Sequence, residues 1–370
     1  MTDDAPLLRT PLHAAHLRLG ARMMPFAGWD MPVQYAGILA EHAAVRSAAG
    51  MFDISHMGRV FVHGTPALDF LQNVTVNDIA ALDEHQAQYS LLCRPDGTTL
   101  DDILVYRLPE HFLLVVNASN RERDLDFLRA HLPSGVTVTD DTQNTAMLAI
   151  QGPHALGIVQ TLTQEDLGTL RRYNIRLGDV ANIDAMLART GYTGEDGLEL
   201  IVAADRAEEV WNAVLDAGQH HGLQPAGLGA RDTLRTEAGL PLYGHELTDD
   251  TNPLEAGLDH FVALAKPPSL AGDALRRIAA APLPRRLTGL QLESRIPARA
   301  GSLLFADGRE VGQVTSGTFA PTLQKSIAIA YVKPSVAEPG RSVEVEVRGQ
   351  RYAATIVKLP FYRRARRRLR

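Results

Sequence analysis

Cysteine is almost missing from this chain: Cys93 is the single one among 370 residues. An intramolecular disulfide is therefore impossible, and a zinc site built on cysteines is excluded. Cys93 lies in LLCRPDG, a strand running into a turn, where a free thiol reads as a small hydrophobe rather than a nucleophile. Long apolar runs are missing too. FLLVVNA and SIAIAYV are strand-sized and far from the roughly 20 residues that span a bilayer, so no membrane role is expected. The opening MTDDAPLLRTPLHAAHLRLG turns acidic at once and holds neither an apolar signal segment nor an Arg/Ser-rich transit pattern. Cytoplasmic residence is the expectation. Positive charge is not in excess: the net charge of −6 gives no reason to expect nucleic acid as a partner. The usual mechanistic signatures are absent as well, with no phosphate-binding G-x-x-x-x-G-K-[ST], no strand-borne G-x-G-x-x-G, no H-E-x-x-H and no G-x-S-x-G. Among 13 histidines only His13/His16 and His220/His221 are close in sequence, and neither pair has acidic neighbours at metal spacing, so no metal site is expected.

What is present is an ordinary globular composition, 45% hydrophobic and 22% charged. A single core stops growing at roughly 250–300 residues, so two or three domains are expected. YAGILAEHAAVRSAAG reads as an amphipathic helix ended by Gly50, followed by MFDISHMGRVFVHG as strand. TPALDFLQNV reads as a helix with Thr65 as N-cap and Pro66 at its first position. QYSLLC and LDDILVYRL flank RPDGTT, whose Pro-Asp-Gly is strong turn chemistry, and so form a hairpin. FLLVVNAS adds a third strand and NRERDLDFLRAHL a helix with its charges outward. Residues 52–140 thus read as an α+β unit on an antiparallel sheet. Further on, AMLAIQG is strand, while RAEEVWNAVLDAG and LGARDTLRTEAG are helices closed by Gly218 and Gly239. A Pro/Ala-rich linker at 279–286 leads into short strands with Gly or Pro turns, the pattern of a small barrel or sandwich.

Three segments place polar groups where apolar ones are expected. In LDDILVYRL, alternation puts Leu100, Asp102, Leu104 and Tyr106 on one face and Asp101, Ile103, Val105 and Arg107 on the other. A symmetric hairpin sets Leu91 opposite Asp102 and Tyr89 opposite Leu104, which brings Tyr89 to the Asp102 face; a slip of one residue reverses this. An acid between two tyrosines on an apolar face needs a partner if buried; a solvated sheet edge is equally compatible with the pattern. In RTGYTGEDGLELIV, three glycines let the backbone approach a ligand, and Glu199 interrupts the following strand on the face opposite Leu198, Leu200 and Val202. A carboxylate there can accept two parallel N–H donors, as from the guanidine-like edge of a pterin ring, or simply face water. In AGLGARDTLRTEAGLPLYG, Arg231 stands in the first turn of a helix, where the dipole disfavours a cation; it is a surface arginine or has an anion to meet. The tail FYRRARRRLR carries six Arg in its last eight residues, either as a solvated terminus or as a contact to an anionic substrate or acidic partner.

Together with RTPLHAAHLRLGARMMPFAGWDMPVQY, MFDISHMG, TNPLEAGL and GQVTSGTFAPTLQKSIAIAYV, these blocks resemble the aminomethyltransferase (T-protein) family of the glycine cleavage system, in register from Arg9 to Tyr362. The more distant folate-dependent iron–sulfur assembly proteins carry K-G-C-Y-x-G-Q-E where this chain reads RTGYTGED. The resemblance implies an α+β, three-domain, cloverleaf-like architecture: two mixed domains on antiparallel sheets and a C-terminal all-β barrel or jelly-roll-like domain. The division it implies is 1–51 with 141–260 as a discontinuous folate-binding domain, 52–140 as the domain carrying the catalytic acid, and 285–370 as the barrel. It further implies transfer of a methylene carbon from an aminomethyl group on the dihydrolipoyl arm of a carrier protein (H-protein) to tetrahydrofolate, with ammonia released. By residue matching Asp102 is catalytic. Glu199 and Arg231 hold the pterin end. Met57, Tyr89, Tyr106, Asn117 and Tyr192 line the pocket, and a C-terminal arginine matched by Arg368 approaches the folate. A folate-dependent demethylase on the same fold and a non-catalytic folate binder are the rival expectations.

Overall fold

The structure is a computed structural model that describes residues 6–364. Arg368, expected near the folate, lies outside the described residues. Three large sheets, each with its own apolar core, organise the chain, beside a two-stranded hairpin Arg22–Phe26/Trp29–Gln34.

The first sheet has six strands in the order Ile175–Val180, Ile183–Ala188, Gly197–Ala203, Thr145–Gln151, Ala49–Asp53, Leu223–Pro225. Its pairs are antiparallel except the last, which is parallel. Alternation in GLELIVA sends Leu198, Leu200 and Val202 to one side, against Trp211 and Val214 of the helix Ala207–Gly218. Ile201 goes to the other side, with Phe52, Ala149, Ala230 and Leu234. Burying a side chain such as Leu or Ile contributes about 1.5–3 kcal/mol, which is what pins the strand's register.

The second sheet runs Ala87–Cys93, Thr99–Arg107, His111–Val116, Gly58–His63, Thr137–Asp140, antiparallel throughout. One face is covered by the helices Ala67–Val74 and Arg121–Ala130. The other contributes Tyr106, Leu113 and Val115 to the same cluster as Phe52 and Ile201, so the two sheets share an apolar seam. Residues 243–278 cap the Tyr89 end of this sheet through Leu247, Leu258, Val262 and Leu275 packed on Leu91 and Cys93.

From Arg286 onward the chain forms a closed, six-stranded antiparallel barrel, as the short strands predicted. In Ser342–Val347, Val343, Val345 and Val347 are buried while the intervening polar residues face out. Buried ion pairs before the barrel reach it through hydrogen bonds to Ser316 and Thr322. Arg235 reaches Glu246 at 2.8 Å and Ser316 at 2.8 Å, while Arg46 holds Glu237 and Glu195, each at 2.9 Å. Glu237 also accepts the backbone N–H of Thr322 in the barrel, at 2.9 Å.

Several local expectations are corrected. The helix Ile38–Ser47 ends before Gly50, which lies inside the strand Ala49–Asp53. Glycine is needed there because a Cβ would stand 2.3 Å from Val45 Cγ2. MFDISHMGRVFVHG is two strands in two sheets, broken by a turn in which Asp53 accepts the Ser55 N–H at 2.9 Å. Thr65 is not an N-cap: the helix Ala67–Val74 starts after Pro66 without a side-chain cap. Gly218 stays inside its helix, and the left-handed residue that ends the segment is Gly222. Gly239, at φ +64°, does close its helix, with its N–H on the Thr236 carbonyl at 3.0 Å. The helix Arg121–Ala130 is not charged only on its outer face, since Asp124 is buried beneath the second sheet.

Candidate active site

The hairpin has the register that alternation required: Leu91 pairs with Asp102 and Tyr89 with Leu104. Its Pro-Asp-Gly turn is closed by Asp96, which accepts the Thr98 N–H at 2.9 Å. A register shift beside Cys93 leaves Leu100 without a pair, and it joins the opposite core with Ile103 and Val105 rather than the Asp102 face. The two adjacent acids are thereby separated. Asp101 points under the sheet and is fully buried, accepting the Asn117 N–H at 2.9 Å and the side-chain amides of Asn117 and Asn120. Asp102 points to the seam, where Tyr89 Oη donates to Oδ2 at 3.0 Å and Asn117 Nδ2 to Oδ1 at 2.9 Å. Burial, reinforced by the charge of Asp101, pushes the Asp102 carboxyl up to about 7, against the pull of these two hydrogen bonds.

Across the seam, Glu199 is 4% exposed and accepts the Thr190 hydroxyl, which also meets Tyr106 Oη at 3.1 Å. Burial raises the Glu199 pKa; Thr190 and the charge of Arg231 oppose the rise. Among the described residues only Oε2 of Glu199 has a donor, which leaves Oε1 available to a ligand. Arg231, on the helix Leu228–Glu237, stacks over Tyr192 with its guanidinium carbon 4.7 Å from the ring centre. That guanidinium, half-buried, makes no side-chain hydrogen bond or ion pair among the described residues. Burial lowers its pKa, and Glu199 counters. Tyr192 is held from the far side by donating to the Pro241 carbonyl. Burial raises the Tyr192 pKa; the charge of Arg235 opposes the rise and that of Asp102 adds to it.

Met57 completes the wall as a partly buried member of the seam cluster, beside Leu104 and Met186. The structure therefore brings together Asp102, Tyr89 and Asn117 at one end, and Tyr106, Glu199, Arg231 and Tyr192 at the other. Thr190 and His56 were not singled out from sequence. Thr190 joins Tyr106 to Glu199 and could have been suspected from its place beside the glycine loop. His56 is buried and its Nδ1 has no partner; burial, then the charge of Arg231, lower its pKa to about 3, so it is a neutral imidazole. Cys93 is buried, and burial raises its thiol well above the ordinary range, in keeping with a structural role. No group of His, Cys, Asp or Glu among the described residues is placed to hold a metal ion.

One end of the seam thus holds a buried carboxyl raised towards neutral; the other holds a carboxylate with a free oxygen and a guanidinium stacked on Tyr192 that makes no ion pair among the described residues. Such a set can grip a flat, polar heterocycle at one end and manage charge on a reacting atom at the other.

The GCVT N-terminal domain matches residues 12–266, and the glycine cleavage T-protein C-terminal barrel domain matches residues 285–363. An aminomethyltransferase of Geobacillus kaustophilus is 49% identical over 363 residues, covering 97% of this chain and 100% of that protein. One of Symbiobacterium thermophilum is 48% identical over 374 residues, covering 98% and 99%. The crystal structure of glycine cleavage system aminomethyltransferase T from Bartonella henselae superposes with a TM-score of 0.91 at 34% identity, covering 96% of this chain and 98% of that one.

Proposed function

The chain belongs to the aminomethyltransferase (T-protein) family of the glycine cleavage system, and on that premise we propose that the seam between its first two sheets binds tetrahydrofolate as one-carbon acceptor, with Asp102 as the catalytic carboxylate. The activity is that of an aminomethyltransferase of glycine cleavage. The observation that carries the folate reading is that one seam holds Asp102, raised towards neutral, together with the free oxygen of Glu199 and the Arg231 guanidinium stacked on Tyr192.

Tetrahydrofolate would supply two nitrogens able to accept a one-carbon unit. Glu199 accepts the donor edge of the pterin through its free oxygen and orients the ring, in place of water the buried acid cannot reach. Arg231, backed by Tyr192, supplies the matching cation and donors. Met57 and Tyr106 form apolar walls, and Arg368, outside the described residues, is the C-terminal arginine assigned to approach the folate. Asp102, aimed by Tyr89 and Asn117, stabilises positive charge as it develops at the transferred carbon, or accepts a proton there. Water exclusion by the surrounding aromatics strengthens that interaction. The donor in this reading is an aminomethyl-dihydrolipoyl carrier protein, the H-protein of the same system.

The division of labour assigned is residues 1–51 with 141–260 for folate binding, 52–140 for the catalytic acid, and 285–370 as barrel. Cytoplasmic residence belongs to the same reading; no helix of the described residues is long and apolar enough to cross a membrane. The test is ammonia release from aminomethylated lipoyl carrier with tetrahydrofolate present. Turnover well above the uncatalysed rate is expected, and its absence would overturn the assignment.

A further inference from the structure

Behind Asp102, on the far side of the sheet, stands a third carboxyl that the proposed mechanism does not use. Asp124, in the first turn of the helix Arg121–Ala130, is 0% exposed, and neither of its oxygens has a hydrogen-bond donor among the described residues. Asp101 is its opposite in every respect but burial: three N–H donors from Asn117 and Asn120 converge on it. The two carboxyls lie within hydrogen-bonding reach of each other. A dry carboxylate without donors is far costlier than a neutral acid. The helix N-terminus favours the anion by much less than burial disfavours it. The charge balance around Asp124 points the same way. Asp101 faces it from the strand Thr99–Arg107, the charge of Asp102 adds to it through the sheet, and the neighbouring Arg123 opposes them. That arginine is engaged elsewhere, with Asp249 at 2.8 Å and the Leu100 carbonyl.

We propose that Asp124 is kept as a neutral carboxylic acid donating its proton to Asp101, so that the pair carries one negative charge and Asp124 acts as a positioning residue for Asp102. The route runs through Asn117. Its Nδ2 is shared between Asp101 Oδ1 at 2.9 Å and Asp102 Oδ1 at 2.9 Å. The Asp124 proton draws charge off Asp101, which leaves Asn117 free to hold Asp102 and limits the repulsion Asp102 feels. The groups that face Asp102 itself are Asp101, Tyr89 and, through space, Tyr192. Burial and the charge of Asp101 support the neutral state by pushing Asp124 up to about 11.

This inference rests on the reading of Asp102 as catalytic, but one of its tests needs no activity. An acid whose folded pKa lies above its unfolded value contributes stability fully below the unfolded value and loses it as pH rises towards the folded one. With unfolded and folded values of 3.8 and about 11, the unsubstituted protein should lose thermal stability relative to Asp124→Asn as pH rises from about 5 to about 9. Parallel Tm curves for the two proteins would mean that Asp124 is ionised in the fold, and would overturn the proposal. The second test is the acid limb of kcat/KM. Asn at 124 is neutral and still donates to Asp101, so the limb should stay within ~0.3 pH unit of the unsubstituted protein. Asp124→Ala removes the donor, strengthens the charge on Asp101 and should raise the limb by about one unit, with KM for tetrahydrofolate little changed. A downward shift in Asp124→Asn, or no shift in a folded Asp124→Ala, contradicts the mechanism. Should the alanine variant not fold, the Tm comparison with Asp124→Asn still decides. If Asp102→Asn keeps full turnover, the role of Asp102 fails while the stability test of the pair stands.

Discussion

Tyr89 donates its hydroxyl to Asp102 at 3.0 Å from the neighbouring strand, two residues along from the pair Leu91–Asp102. That bond favours the ionised form of Asp102, whose pKa is nonetheless raised to about 7 by burial and by Asp101. Removing it in Tyr89→Phe should raise the pKa further. The acid limb of kcat/KM should move up by about one pH unit, costing roughly tenfold in rate at pH 6 and little at pH 9. A pH–rate profile of the two proteins checks this. A limb that stays in place would mean that Asp102 does not set it.

Glu199→Gln and Arg231→Met address the other end of the site. Glu199 has one oxygen bound by Thr190 and one without a donor, and Arg231 stacks on Tyr192 but makes no side-chain hydrogen bond or ion pair among the described residues. Each substitution should weaken tetrahydrofolate binding by roughly 10–100-fold, the cost of about 1.5–3 kcal/mol for a charged hydrogen bond. Calorimetric titration measures the loss. Turnover at saturating folate should fall much less, because these groups lie away from the reacting carbon.

The ion pairs of Arg46 beside the barrel should matter for stability rather than chemistry. Arg46 is sandwiched between Glu237 and Glu195, all nearly inaccessible, with the Tyr362 ring 3.9 Å from its guanidinium carbon. Arg46→Met leaves two buried carboxylates short of a cation, at a cost of about 3–5 kcal/mol. Differential scanning calorimetry should show a markedly lower Tm, with folate affinity per folded molecule preserved.

Cys93 should be silent. Buried at 1% exposure with its thiol pKa raised, it should resist thiol reagents in the native protein and react on unfolding. Cys93→Ala should keep turnover. Rapid labelling of the native protein by a thiol reagent would contradict its structural assignment.

Much of this site is legible in the alternation of two strands. LDDILVY separates Asp101 from Asp102, GLELIVA isolates Glu199 from its apolar neighbours, and the Pro-Asp-Gly turn sets the register that brings Tyr89 to Asp102. What pattern cannot supply are pairings between distant segments. The strand Ala49–Asp53 pairs with Thr145–Gln151, almost a hundred residues on, so MFDISHMGRVFVHG splits between two sheets for reasons outside its own residues. The burial of Asp124 is similarly hidden: in DLDFLR it is one of two acids on a charged helix, and only packing against Asp101 singles it out. Leu100 left its expected face because of a one-residue bulge, which no period-2 count foresees.

The measurement that bears most directly on the central claim compares folate binding with turnover in Asp102→Asn. Asn preserves the size of the side chain and can keep contacts with Tyr89 and Asn117, but it cannot carry the charge. Tetrahydrofolate affinity should stay within about threefold, while ammonia release from the aminomethylated carrier should fall by about 100-fold or more. Turnover retained near the unsubstituted level, with binding intact, would contradict the assignment of Asp102 as the catalytic carboxylate.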